Sequence, residues 1–333
     1  MWFEKMPKVE LHCHLDGSIP VDILRQLCEK EMVRIPKERG AFLKLVQADD
    51  DCESLEEYLK SFEIPLSCLK SEEAFREAAY YTALSASREN VRYMEIRFAP
   101  LLSVTESLPA EAITEAVAAG LLKAREEKGI ISTILLCGMR HFTEDMNIKN
   151  LELAKRYLGK GVSGIDLAGN EAAFPNDMFR EYFRRAKAEG IPFTIHSGEC
   201  GSSRNIELAV EYGAARVGHG IAMSGSREIQ ELCRKNQIGI EMCPKSNLQT
   251  KAVASIEKYP LREFLDNGVA VTINTDNRTV TGTTVSQELG LLAEHFQLTE
   301  EEGRAIMQNA VRTSFADEDV KRAVGQEIAQ WEA

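Results

Sequence analysis

The sequence predicts an α/β fold, a (β/α)₈ TIM-like barrel with a helical insertion after its first strand. Two observations lead there. Short, continuous apolar runs rich in β-branched residues recur eight times, and amphipathic helical stretches fill the intervals. Polar residues crowd the C-terminal ends of those runs, where barrels of this kind carry their sites. A doubly wound sheet would not by itself account for that crowding.

The expected strands are Val9–Leu15, Arg92–Phe98, Ser132–Gly138, Val162–Ala168, Pro192–Ser197, Ala215–His219, Ile238–Cys243 and Val269–Asn274. Runs such as VSGIDLA and IGIEMC lack the alternation of a half-exposed strand, as buried parallel strands should. Phe179–Glu189 and Ser226–Lys235 carry the clearest helical spacing. The first interval, Ser18 to Asn90, is longer than one crossover helix needs. It contains the helical stretch Leu55–Phe62 and is expected to lie over the barrel mouth. Glu300–Trp331 is expected to be helical and to pack outside. No repeat, low-complexity tract or linker appears, so residues 1–333 are expected to form a single domain.

Composition narrows the partners. At 44% hydrophobic and 28% charged residues, the chain can bury a substantial core. A net charge of −12 repels phosphate backbones, which argues against a nucleic-acid partner and leaves a small neutral ligand open. The N-terminal MWFEKMPKVELH lacks an apolar signal region, and no run approaches the length of a membrane span. The cytoplasm is therefore the expected location and no membrane partner is expected. Eight cysteines without CxxC spacing read as reduced, mostly buried thiols rather than a zinc knot. Nothing in the sequence marks an oligomeric state.

Only six histidines occur, and four of them, His12, His14, His196 and His219, fall at or near expected strand ends. His141 and His295 lie outside this set. Side chains two apart on a strand share a face, so His12 and His14 can reach one metal ion. The plain alternative is a pair of ordinary hydrogen-bonded histidines. With His196 of IHSGE and Asp276 of INTDN they complete a set of three nitrogens and one oxygen, which suits one zinc ion. Asp276 alone reads equally as a turn or helix cap. Glu199, three residues after His196, reads either as a helix-start carboxylate or as a proton donor beside the metal. His219 reads either as a core histidine or as a base near the metal.

Taken in order, KVELHCHLDGS, EIRFAP, GIDLAGNE, HSGE, RVGHG, EMCPKSNLQT and NTDN resemble the adenosine deaminase family over almost the whole chain. The resemblance implies that His12, His14, His196 and Asp276 bind one zinc ion per chain. It implies that Glu199 protonates purine N1, and that His219 and Asp276 orient and deprotonate the attacking water. The intermediate at C6 then loses ammonia, giving inosine from adenosine or deoxyinosine from deoxyadenosine. His14, Asp16, Gly169 and Asn277 match substrate contacts. Gly169 matches a backbone donor to N3, and Asp16 matches the ribose 5′-hydroxyl contact or else is a turn carboxylate. Leu55, Tyr58, Leu59 and Phe62 match an apolar lid, though such a stripe fits core packing equally.

One departure stands out. The best-known members carry a second Asp where this chain has Asn277, and RTVTGTT after it lacks the expected proline. An Asn amide donates to an acceptor such as N7 at any pH, which keeps purine binding chemically feasible while leaving the choice of 6-substituent open. Adenine, or an N6-substituted or modified adenine compound, is the alternative substrate, although Asp16 favours a ribose. A catalytically silent nucleoside-binding barrel is the alternative from another class, and it predicts a lost ligand or a lost Glu199. A two-metal amidohydrolase would need a bridging lysine or carboxylate, which no strand clearly offers. The absence of P-C-x-x-C and of HExxH argues against nucleic-acid deaminases and common zinc peptidases.

Overall fold

The computed structural model describes residues 1–49, 52 and 55–332, without the side chains of residues 55 and 56. All eight expected strands form: β1 Lys8–His14, β2 Val91–Phe98, β3 Ile131–Met139, β4 Val162–Ala168, β5 Thr194–Ser197, β6 Arg216–His219, β7 Gly239–Met242 and β8 Ala270–Ile273. They pair in parallel as two half-barrels, β1-β2-β3-β4 and β5-β6-β7-β8. Single bridges, Ile165 to Phe193 and Cys13 to Asp276, join the halves into a closed barrel. Helices alternate with the strands, and the strands are buried almost throughout, which is why their sequences are continuous rather than alternating.

The β1–β2 register slips between Glu10 and Cys13, the stretch that carries His12. Side chains satisfy the backbone there: Asn274 Oδ1 accepts from Leu11 N–H at 2.7 Å, and Arg97 donates to the Leu11 carbonyl. A slip of this kind re-aims side chains, and here it falls beside the site.

The first interval departs from the simple insertion that its length suggests. Helices run over Val21–Lys30, Arg39–Val46, Leu55–Lys60, Glu63–Cys68 and Glu72–Ser87. The last, capped by Ser71, packs along Ala110–Lys128 in the outer ring and is the barrel's own crossover helix. Only the part before it is inserted. Its Tyr58 joins Ala48, Cys52 and Val280 in a small cluster separate from the main core, with Phe62 against it. The C-terminal stretch splits at residues 314–317 into Glu300–Thr313, which lies against β8 and β1, and Glu318–Gln330. The cysteines are free thiols, seven buried and Cys200 exposed. Among the described residues no helix is long and apolar enough to cross a membrane.

Candidate active site

The C-terminal end of the barrel gathers residues from β1, β5, β6 and the turn after β8. His219, the last residue of β6, and Asp276, three residues beyond β8, both hold left-handed backbone with φ of +62°. For residues other than glycine that conformation costs about 1–3 kcal/mol and persists only where the surroundings impose it. At Asp276 the closing bonds impose it: Asp276 N–H donates to the His12 carbonyl at 2.9 Å, and His14 N–H donates to the Asp276 carbonyl at 2.7 Å.

His12, His14, His196 and Asp276 each turn one donor atom into the same small volume, all within 4.8 Å of one another. Asp276 Oδ1 lies 3.2 Å from His12 Nε2 and 3.3 Å from His14 Nε2, and His14 Nε2 lies 3.2 Å from His196 Nε2. Ligands about 2.0–2.1 Å from a tetrahedral zinc ion stand roughly 3.3 Å apart, so the spacing fits a metal. His12 Nε2 is buried, with Asp276 Oδ1 3.2 Å away but not aligned to bond it, the disposition of two ligand atoms that share a cation. Burial pushes His14 well below the ordinary imidazole range, against the pull of Asp276, and lowers His196 against the pull of Asp166. Neutral imidazole is the form that binds metal.

The rear nitrogens of two of these rings meet carboxylates. His12 Nδ1 is 2.8 Å from Glu241 Oε2, and His196 Nδ1 is 2.8 Å from Asp166 Oδ2. Arg97 bridges the two acids, donating to Asp166 at 3.0 Å and to Glu241 at 2.9 Å. Such partners fix ring orientation and raise ligand basicity. Sequence reasoning gave Asp166 and Glu241 no role. The available signal was a lone acid inside each of two apolar strands, GIDLA and GIEMC.

Glu199 and His219 face each other, with Oε2 and Nε2 3.7 Å apart. Burial, then the charges of Asp276 and Glu171, push the Glu199 carboxyl up to about 8. Burial thus favours its protonated form. His219 is held neutral, well below its ordinary value, by burial and then by His12. Tyr259 O–H donates to Asn247 Oδ1 at 3.2 Å, which turns the Asn247 amide N–H toward His219 Nδ1 at 2.9 Å. The His219 proton accordingly sits on Nε2, facing Glu199.

These groups line a cavity of about 410 Å³, within the roughly 300–1,000 Å³ of small-molecule sites. Asp16, Gly169 and Asn277 line it too, as do Tyr58, Leu59 and Phe62; the side chain of Leu55 lies outside the described residues. Asp16 has one buried carboxylate oxygen without a partner, and burial pushes the group up to about 6. Gly169 holds φ of +107°, which excludes most side chains beside the cavity. A Cβ at Gly17 would strike the Asn277 amide, so the glycine of HLDG makes room for Asn277. Asn277 Nδ2 donates to the Tyr58 hydroxyl at 2.8 Å, and that hydroxyl lies 2.7 Å from Thr281 Oγ1. His141, left out by the strand-end reasoning, also lines the cavity from the turn after β3. No lysine or arginine lines it among the described residues. Lys245, three residues beyond β7, donates to the Gly282 carbonyl at 3.2 Å.

Residues 7–331 match the family model for adenosine deaminase. An adenosine deaminase of Enterococcus faecalis is 41% identical over 326 residues, 98% of this chain and 97% of that protein. The chain belongs to the adenosine deaminase family. Solved structures of related barrels superpose closely. An adenine deaminase from Arthrobacter aurescens aligns with a TM-score of 0.89 at 24% identity, covering 98% of this chain and 99% of that one. The N6-methyl-AMP deaminase of Arabidopsis thaliana aligns with a TM-score of 0.85 at 26% identity, covering 98% and 97%. The barrel is thus shared with proteins whose names differ in the purine they act on.

Proposed function

We propose that this chain, acting as one domain, deaminates adenosine and 2′-deoxyadenosine hydrolytically to inosine and 2′-deoxyinosine, using one zinc ion held by His12, His14, His196 and Asp276. The observation that carries the reading is a buried acid, Glu199, set beside a metal-fitting cluster in a cavity that no lysine or arginine lines among the described residues. When bound, zinc lowers the pKa of a water toward about 7, which makes a nucleophile available at neutral pH.

Each residue then has a task. Glu199 gives its proton to purine N1, which makes C6 electrophilic. Asp276 accepts a proton from the attacking water, while His219, its proton on Nε2, orients that water and favours charge build-up on its oxygen. The C–O bond forms at C6; the C–N bond then breaks as the amine takes the proton held by Asp276 and leaves as ammonia, while the remaining proton on the C6 oxygen returns to Glu199 as the carbonyl forms. Gly169 offers its N–H to N3, and the unpartnered oxygen of Asp16 accepts from the ribose 5′-hydroxyl. Asn277 meets N7, and His14 contacts the substrate from the first strand.

Two features favour a nucleoside over a free base or a nucleotide. A phosphate calls for cationic partners, and no lysine or arginine lines the cavity among the described residues, which argues against an N6-substituted nucleotide. Free adenine would leave Asp16 without a donor. The test is ammonia release by zinc-loaded protein from adenosine, deoxyadenosine, adenine, AMP and N6-methyladenosine in parallel. The two nucleosides should turn over fastest; a preference for AMP or adenine would overturn the substrate assignment.

A further inference from the structure

We propose that Glu171 is a positioning residue for the proton donor, holding the Gly198–Cys200 turn so that Glu199 meets the purine; this rests on the role given to Glu199 above. Glu171 follows β4 in the AGNE turn and is 2% exposed. Its two oxygens accept four N–H groups. Gly198 N–H reaches Oε1 at 2.7 Å, Glu199 N–H and Cys200 N–H both reach Oε2 at 3.0 Å, and Asn205 Nδ2 reaches Oε1 at 2.8 Å. Three consecutive backbone N–H groups converge on one anion because Gly198 takes φ of +78°, a concave arrangement that binds carboxylates. The acid's own peptide group is thereby fixed to a different βα turn of the barrel.

The holder is itself held. Asn205 Oδ1 accepts from Asn176 N–H at 2.9 Å, and Asn176 Nδ2 donates to Ser197 Oγ at 2.8 Å. Arg140 donates to the His196 carbonyl at 2.6 Å and to Asn176 Oδ1 at 2.7 Å. The stretch from His196 to Cys200 is therefore tied at both ends, the metal-facing imidazole at one and the proton donor at the other. Position matters here because a small misplacement of a proton donor sacrifices much of its effect.

The experiment compares Glu171→Gln, Glu171→Asp and Glu199→Gln in zinc-loaded protein with adenosine, measuring kcat and KM at neutral pH. Folded state is checked by circular dichroism and metal content by atomic absorption. Glu171→Gln turns an amide N–H₂ toward backbone donors; kcat should fall about 100-fold, near the lower bound of acid catalysis, with KM little changed. Glu171→Asp keeps the charge and shortens the reach, so kcat should again fall with KM little changed. A purely structural role would lower kcat only in step with the folded, metal-loaded fraction, which overturns the proposal. Wild-type behaviour in either Glu171 variant also overturns it. If Glu199→Gln itself keeps near-normal turnover, the donor assignment has failed; if Glu199→Gln is dead and Glu171→Gln is normal, only the present inference has.

Discussion

At the scale of single residues the site depends on pairing each side chain's protonation state with its task. Asn277 shows this most directly. Its amide donates to the Tyr58 hydroxyl without needing a proton from solvent, and it is buried beside Asp276. Replacing it with Asp makes donation conditional on protonation. We expect KM for adenosine in Asn277→Asp to rise about tenfold as pH climbs through the new carboxyl's range, the cost of one hydrogen bond replaced by a repulsion. Wild-type KM should show no such rise over the same interval, and parallel profiles would mean that residue 277 does not meet N7. The residues around the cavity were legible in the sequence because histidine is scarce and the four strand-end histidines fall beside short glycine-bearing motifs. His141 escaped because it follows a strand end by two residues and carries no motif. Asp166 and Glu241 escaped for another reason: their partners, His196 and His12, are distant in sequence, and no local pattern announces a pair that only the closed barrel makes.

Among the elements, the barrel strands were readable and the insertion only partly so. Eight buried parallel strands announce themselves by continuous apolar runs, whereas the segment between β1 and β2 mixes short helices with a full crossover helix of similar composition. Which helix served the barrel and which served the mouth depended on packing that periodicity does not encode. The helix Leu55–Lys60 is seated on a small cluster apart from the main core, and its deepest anchor is polar: Tyr58, 2% exposed, joins Asn277 and Thr281. Small isolated clusters open more easily than a continuous core. Tyr58→Phe removes the hydroxyl and leaves two buried polar groups without it, a cost of about 1–3 kcal/mol to the docked helix. The expected result is a higher KM for adenosine with kcat largely kept, together with faster hydrogen exchange at Ala48, whose N–H bonds the Val280 carbonyl at 2.8 Å. If neither quantity changes, apolar contact alone seats this segment.

For the molecule as a whole, closure of the barrel rests on more than the two bridges between half-sheets. A buried network of charges crosses the barrel interior. Arg216 of β6 donates to Glu95 of β2 and, at 2.6 Å, to Glu241 of β7; Arg97 of β2 joins Glu241 to Asp166 of β4. Arg216 also reaches the C-terminal helices, donating to the Thr313 carbonyl at 2.7 Å and lying 3.9 Å above the Phe315 ring. Both half-barrels and the tail thus share one set of buried ions. Such networks contribute little net stability when complete, because desolvation offsets attraction, yet losing one member strands the others. Arg216→Met keeps the apolar stem and removes the charge, leaving Glu95 and Glu241 with fewer partners in a fully buried position. We expect a loss of about 3–5 kcal/mol in stability, read as a lower urea midpoint. Because Glu241 also holds His12, the same variant should release its metal to a chelator more readily than wild type does. Arg184→Met, which breaks an exposed pair with Glu181 on the outer ring, should leave both measurements unchanged. An Arg216→Met protein with a normal midpoint but weakened metal retention would mean that the network tunes the site without holding the barrel together; equal loss in both variants would mean that burial of the charges is irrelevant to their effect.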